Sequence, residues 1–430
     1  MTAAMIDDFR ASSAYRDGAL RHLAHGASST PRAGQRPVPI VAEWAEGAWI
    51  VDADGNRFID YALGYGPLIL GHSPPTVLAA VRAELGRGLR TASVHRGEGE
   101  LAGLIAACVP SAEMTAFVST GTEAVQLALR VARAVTGRLP VVRFRANYHG
   151  WFDDVNTGGV GGDGPLTVGQ DPAAANLFTL LDWGDAEALE RVLDVRFAAV
   201  LLEPAAINPG CFAPPPGFLE RVRAVTRQRG VLLVFDEVIT GFRLGLAGAQ
   251  GRYGVVPDLT VLGKALGAGL PIGAVSGSRE AMEPVASGRL MHRGTFNGNP
   301  LSMAAGVACV RELQADAGVL FPRMEGYAAA LAEHFNGEAV RLGAVACAQQ
   351  VGPMLQLFAG VRGLAGMRDL RHVDGGATLR LTEGLLRHGV QAIPRGLMYV
   401  STAHGDAEIE MTMAAMTGAL AGLAQQERQA

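Results

Sequence analysis

Two apolar patterns alternate along the chain. Short, nearly continuous runs, "MTAFVS" (114–119), "LPVVRF" (139–144), "FAAVLLEP" (197–204) and "GVLLVFDEV" (230–238), are separated by stretches with helical spacing, such as 75–86 and 122–136. Runs of that length, apolar on both sides and interleaved with helices, predict an α/β fold: a largely parallel sheet covered on both faces. Upstream, 13–35 reads as a helix followed by a Ser/Pro/Gly loop, and "EGAWIVDADGNRFIDY" (46–61) as a hairpin around a tight Asp-Gly turn. The glycine-rich "GGVGGDGP" (158–165) has no helix-entry pattern, so it predicts a mobile surface segment rather than a phosphate cradle. A long helix is expected from near Ser302, with helices and short strands returning after about 311. The organisation that follows is two lobes: residues 1–60 and 311–430 in a smaller one, 61–310 in a larger one.

Composition narrows the function without naming it. The 430 residues are 49% hydrophobic and 18% charged, which is globular, and the net charge of −4 leaves no electrostatic footprint for nucleic acid. A small-molecule partner is favoured. Cys108, Cys211, Cys309 and Cys347 match no CxxC spacing, so no metal site is expected. The first residues lack the basic start and apolar run of a signal peptide, and the longest apolar stretches meet acidic residues far short of a membrane span, as in "VLLVFDEVITGF". The expectation is a reduced, cytoplasmic protein with no membrane contact.

One residue changes that picture. Lys264, in "VLGKALGAGLPIGAV", is the single lysine of a chain whose other 36 cationic residues are arginines. Drift toward arginine explains the scarcity but not the survivor. Arginine stays protonated at physiological pH, whereas lysine can lose its proton and act as an amine nucleophile, so the candidate role is a Schiff-base lysine. The alternative is an accidental surface lysine.

A Schiff-base lysine needs an electron-sink cofactor, which in turn needs a carboxylate for a ring nitrogen, an anion site and a stacking partner. Asp236 ends an apolar run, where a buried carboxylate demands a partner: a protonated pyridine nitrogen, the next element's N–H groups, or Arg243. In "FVSTGTEAVQLALRVAR", Ser119, Thr120, Gly121 and Thr122 lead into an amphipathic helix, whose free N–H groups and dipole suit an anion, although the same residues also read as an N-cap. Tyr148 and His149, in "NYHGWFDD", follow another apolar run, and an aromatic there can lie on a ring or be buried structurally. A phosphate loop built on "GKALGAG" fails, because Lys264 lacks the preceding GxxxxG spacing and a following Ser or Thr.

The ordered set "STGTEA", "LRVARAVTGR", "YHGW", "EPAAIN", "LLVFDEVITGFR", "PDLTVLGKALGAGLPIGAV" and "GTFNGNPLSMAAG" resembles the class III, pyridoxal-phosphate-dependent aminotransferases, in particular the branch that contains glutamate-1-semialdehyde aminomutase. The resemblance covers about 17–415 and implies fold type I: a seven-stranded, mostly parallel sheet in the large domain, a small α+β domain from both chain ends, and a homodimer. It further implies that Lys264 forms the Schiff base and shuttles the proton, Asp236 holds the pyridine nitrogen, Ser119, Gly121 and Thr122 surround the phosphate, and Tyr148 and Val238 flank the ring. Glu203 and Asn208 match positions beside the cofactor's edge, and Thr295 matches one that reaches the phosphate bound by the other subunit.

The chain departs from the aminomutases in two places. Where they carry a C-terminal glutamate, this sequence has "AIPRGLMYVSTAH" with Arg395, and their "FGAPTE"-like loop is replaced by "ASVHRGEG" with His95 and Arg96. Arginine at the first place is similar to aminotransferases of the same branch that accept D-phenylglycine-like or β-amino acids, and Arg32 in "GASSTPR" matches a substrate-carboxylate position. Each arginine can also be read as a salt-bridge partner. The resulting expectation is an aminotransferase working between an amino acid and a keto acid, with an intramolecular 1,2-aminomutase as the alternative.

Overall fold

The structure, a computed structural model, describes residues 5–160 and 162–429. The chain divides into two compact units, Pro75–Phe321 and a second formed by Met1–Pro74 with Pro322–Ala430. Both divisions fall later in the chain than the hydropathy pattern suggests, because the turn after the hairpin, Leu63–Tyr65, stays with the smaller unit and the second division lies inside a helix, Ala317–Leu342.

The larger unit is built on seven strands: β1 (Met114–Val118), β2 (Val141–Phe144), β3 (Phe178–Leu181), β4 (Ala199–Leu202), β5 (Leu232–Asp236), β6 (Leu259–Leu262) and β7 (Gly273–Gly277). Their spatial order is β1-β7-β6-β5-β4-β2-β3, with only β7 antiparallel to its neighbours. Strand β5 shows why such runs are apolar throughout. Val234 packs into a cluster with Val125, Ala128 and Leu129 of α1 (Gly121–Thr136), while Leu233 and Phe235 face Phe218, Leu219 and Val222 of α2 (Phe218–Arg229) on the opposite side. Successive side chains point to opposite faces, and here both faces are dry.

The segment 158–165 differs from its sequence reading: Thr157–Gly159 and Gly162–Pro165 pair as an antiparallel ribbon, Gly161 lying outside the described residues. Glycines carry no side-chain period, so the pattern was invisible; the anchor is Asp163, bound by Arg145 Nη2 at 2.8 Å. The helix expected near Ser302 is α3 (Pro300–Ala315), with the Asn299 side chain accepting the Leu301 and Ser302 N–H groups as its N-cap.

The smaller unit is α+β and draws on both chain ends. The predicted hairpin is present as Trp49–Asp52 against Arg57–Asp60, and Val390–Gln391, far along the chain, adds a parallel strand beside Arg57–Asp60. A separate antiparallel sheet joins Ala346–Val351, Met354–Ala359 and Leu397–Tyr399.

Candidate active site

In the larger unit the residues singled out from sequence converge on the carboxyl ends of β1, β2, β4, β5 and β6, where open α/β sheets bind ligands. Asp236 is the last residue of β5 and shares register with Val261 of β6, three residues before Lys264. Lys264 is half-buried and has φ of 41°, a left-handed conformation that non-glycine residues adopt at a cost and that clusters at functional sites.

Close backbone approach ties the remaining pieces together. A Cβ on Gly121 would stand 3.2 Å from both Val238 methyls, and one on Gly263, next to Lys264, would stand 3.5 Å from Val238 Cγ1. Val238 therefore lies between the start of α1 and the lysine turn. Gly150 has φ of +107°, and a Cβ there would meet Thr122 Oγ1 at 2.9 Å, so the Tyr148–Gly150 segment presses on the same helix end.

That helix end has the expected N-cap and is compatible with the anion-site reading. Thr120 is the N-cap, accepting the Glu123 N–H at 3.1 Å, and Glu123 Oε2 accepts the Ser119 N–H at 3.0 Å. The Gly121 and Thr122 N–H groups have no acceptor among the described residues. Two open donors at the positive end of a 16-residue helix are suited to a phosphate.

Asp236 is buried, and its partners are the Val238 N–H, 3.1 Å from Oδ1, and His149 Nδ1, 2.7 Å from Oδ2. Tyr148 is 47% exposed, so its ring offers an open face, contrary to the buried alternative. Burial of its hydroxyl and the charge of Asp236 push the Tyr148 phenol above its usual value. Glu203, just beyond β4, is fully enclosed and accepts N–H groups from Tyr148 (2.8 Å), Ile207 (3.1 Å) and Asn208 (3.2 Å), plus the Asn208 side-chain amide at 3.2 Å. Burial raises the Glu203 carboxyl, Asp236 adds to that, and His149 opposes it. Thr295 is exposed in the turn ahead of α3. His95, in the replaced loop, bonds the Gly298 carbonyl at 2.7 Å and caps the helix Arg96–Cys108, which is a structural role.

The two candidate carboxylate readers belong to the smaller unit. Asp60 accepts the Ala62 N–H at 2.8 Å, the Leu63 N–H at 3.1 Å and a bond with His72 Nε2 at 2.8 Å, and so holds a turn with positive φ at Leu63, Gly64 and Tyr65. Tyr65, which sequence reasoning did not single out, has Arg32 and Arg395 within electrostatic reach: burial raises its phenol, and both guanidiniums oppose that rise. Arg32 and Tyr65 line a cavity of about 430 Å³ whose wall is mostly apolar, including Ile40, Val41, Leu68 and Ile393. Both arginines are exposed, and Gln356 Nε2 donates to the Arg395 carbonyl. Among the described residues there is no cluster suited to a metal, and no helix is long and apolar enough to cross a membrane.

The family model for class-III aminotransferases matches residues 30–337. The chain belongs to that family. It is 40% identical over 406 residues to a glutamate-1-semialdehyde 2,1-aminomutase of Ignicoccus hospitalis (92% of this chain, 95% of that one) and 41% identical over 421 residues to the enzyme of the same name from Thermomicrobium roseum (94% and 97%). Among solved structures, an omega-transaminase from Sphaerobacter thermophilus superposes with a TM-score of 0.89 at 32% identity, covering 97% of this chain and 99% of that one. A transaminase with pyridoxal phosphate bound gives 0.89 at 27% identity, over 98% and 100%. The β-phenylalanine aminotransferase of Variovorax paradoxus gives 0.86 at 32%, over 96% and 94%. The class-III enzymes are pyridoxal-phosphate-dependent, and the donors, buried carboxylate and open aromatic face described above fit that cofactor.

Proposed function

We propose that this class-III enzyme is an aminotransferase that moves an amino group between a carboxylated amine and a keto acid. The observation that carries the reading is Arg32, which lines a largely apolar cavity together with Tyr65, a residue on which the charge of Arg395 also acts. Paired arginines recognise carboxylates, and the apolar wall suits an amino acid with a hydrophobic or aromatic group.

Bound pyridoxal phosphate supplies an electron sink that lowers the barrier to removing a proton from the carbon bearing the amine. The residues of the chain do the rest. Gly121 and Thr122 N–H groups, with the Ser119 hydroxyl, would hold the phosphate; Asp236 would accept from the ring nitrogen; Tyr148 and Val238 would flank the ring; Glu203 and Asn208 would lie beside its edge. Lys264 Nζ would hold the cofactor covalently and would take and return the proton. In a homodimer, Thr295 would serve the phosphate of the second copy. A reduced cytoplasmic setting belongs to the same reading.

A second reading, an intramolecular 1,2-aminomutase, is favoured by the names of both relatives at 40–41% identity. Reaction with and without an added keto acid separates the two. An aminotransferase requires the second substrate for turnover, and a panel of amine donors converts the cofactor to its amine form stoichiometrically. Multiple turnovers of an amino aldehyde with no keto acid present would establish the aminomutase instead.

A further inference from the structure

Two titratable side chains at the cavity beside Arg32 are not used by the proposed chemistry. Asp60 is buried at the end of the strand Arg57–Asp60, and His72 lies 12 positions on, with its Nε2 2.8 Å from Asp60 Oδ2. Both line the cavity of about 430 Å³, together with Arg32, Gly64 and Tyr65. A pair needed only to fill space would be apolar, since burying a carboxylate carries a desolvation cost.

The pair is built around a strained turn. Leu63, Gly64, Tyr65 and Gly66 have φ of 44°, 64°, 70° and 102°, and Leu63 and Tyr65 adopt that left-handed backbone at a cost. Such a turn persists only where its surroundings over-determine it. Asp60 does so from one side, accepting the Ala62 N–H on Oδ1 at 2.8 Å and the Leu63 N–H on Oδ2 at 3.1 Å. Gly66 does so from the other, where a Cβ would stand 3.0 Å from the Tyr399 ring.

His72 is fixed from outside the turn. Its N–H bonds the Gly47 carbonyl at 2.7 Å and its carbonyl accepts the Gly47 N–H at 2.9 Å. Gly71 has no room for a Cβ, which would meet the Gly47 oxygen at 2.6 Å, so the two segments lie in close backbone contact. Both Asp60 oxygens already accept backbone N–H groups, which assigns the imidazole as the donor to that carboxylate through Nε2.

We propose that His72 is a positioning residue for substrate recognition: by donating Nε2–H to Asp60 it fixes the Leu63–Gly66 turn and so holds Tyr65 at the cavity beside Arg32. The inference rests on the proposed role of that cavity in binding a carboxylated amine.

The test follows the half-reaction of the holoenzyme with amine donors, read as conversion of the bound cofactor to its amine form. Each variant yields a saturating rate and a half-saturating concentration, for carboxylated and for uncharged donors. His72→Leu should raise the half-saturating concentration of carboxylated donors about tenfold, leave uncharged donors nearly unchanged and keep the saturating rate within about twofold. His72→Gln, whose amide reaches the Nε2 position, should restore most of the affinity; His72→Asn, whose amide stops near Nδ1, should not. In a Tyr65→Ala background His72→Leu should add nothing, because the side chain it positions is gone. Should His72→Leu fail to fold, the Gln and Asn variants decide in both backgrounds. Equal losses on both kinds of donor, a loss confined to the saturating rate, a full further loss in the Tyr65→Ala background, or Gln no better than Asn would overturn the proposal. So would a Tyr65→Ala variant without effect where Arg32→Ala is selective. The reading underneath fails separately, and is lost if Arg32→Ala and Tyr65→Ala, with His72 intact, both treat the two kinds of donor alike.

Discussion

The surroundings of Asp236 and those of Tyr65 hold the chain's two groups of candidate residues in contrasting ways. Around Asp236, in the larger unit, His149, Glu203 and Asp236 are all buried, and Glu203 alone accepts four N–H bonds. Around Tyr65, in the smaller unit, Arg32 and Arg395 are exposed, and the charge of each acts on Tyr65. A dense, enclosed network fixes the carboxylate proposed to meet the cofactor ring. Arginines exposed on a short helix and a loop lie on segments that tolerate changes of length and sequence, which suits the part of an enzyme proposed to distinguish substrates.

Substitutions can break this contrast, and the largest effect is expected at the enclosed end. Lys264→Ala should abolish turnover, because no other lysine exists; borohydride reduction of the wild type should leave cofactor on the Lys264 peptide alone, and labelled protein without that adduct would remove the assignment. Asp236→Asn should still fold but lose several orders of magnitude in rate, since a neutral amide cannot stabilise a pyridinium. Full activity in that variant is incompatible with the proposed mechanism.

Effects at the exposed end should be smaller and selective. Arg395→Ala is expected to raise KM for carboxylated amines by about 1.5–3 kcal/mol in apparent binding, the range for charge-assisted hydrogen bonds, and to spare uncharged amines. Equal losses on both kinds of donor would reduce Arg395 to a packing role, and a larger selective loss in Arg32→Ala would make Arg32 the main reader. Tyr65→Phe should cost about 0.5–1.5 kcal/mol on the same carboxylated donors if its hydroxyl shares in the recognition. No change in KM would leave the arginines acting without it.

The smallest expected effect is a slope. Burial raises the Glu203 carboxyl above its ordinary value of 4.5, so the folded state holds that proton more tightly than the unfolded chain. The associated stability is complete below the ordinary carboxylate range and is lost as pH rises through the elevated value. The melting temperature of wild type, taken relative to Glu203→Gln, should therefore fall as pH climbs from 4.5 toward neutrality. Any constant cost of the amide cancels from that slope, and a flat difference would show that Glu203 is not raised by burial.

Much of this protein was legible in the chain alone. Apolar runs of strand length separated by helical periods determine the sheet, because burial on two faces leaves a local signature, and the solitary Lys264 is what singles out the proposed reactive amine, by chemistry that arginine cannot perform. Capping at Thr120 and Glu123 was equally local. Tertiary structure decided the rest. His149 and Asp236 are 87 positions apart, and no periodicity in either segment records that they meet. Tyr65 and Arg395 come from stretches related by the pairing of Val390–Gln391 with Arg57–Asp60, and Arg32 comes from a third. Local pattern reports which face of an element is dry; which side chains then share a site depends on long-range closure of the chain, whose cost and outcome belong to the whole fold.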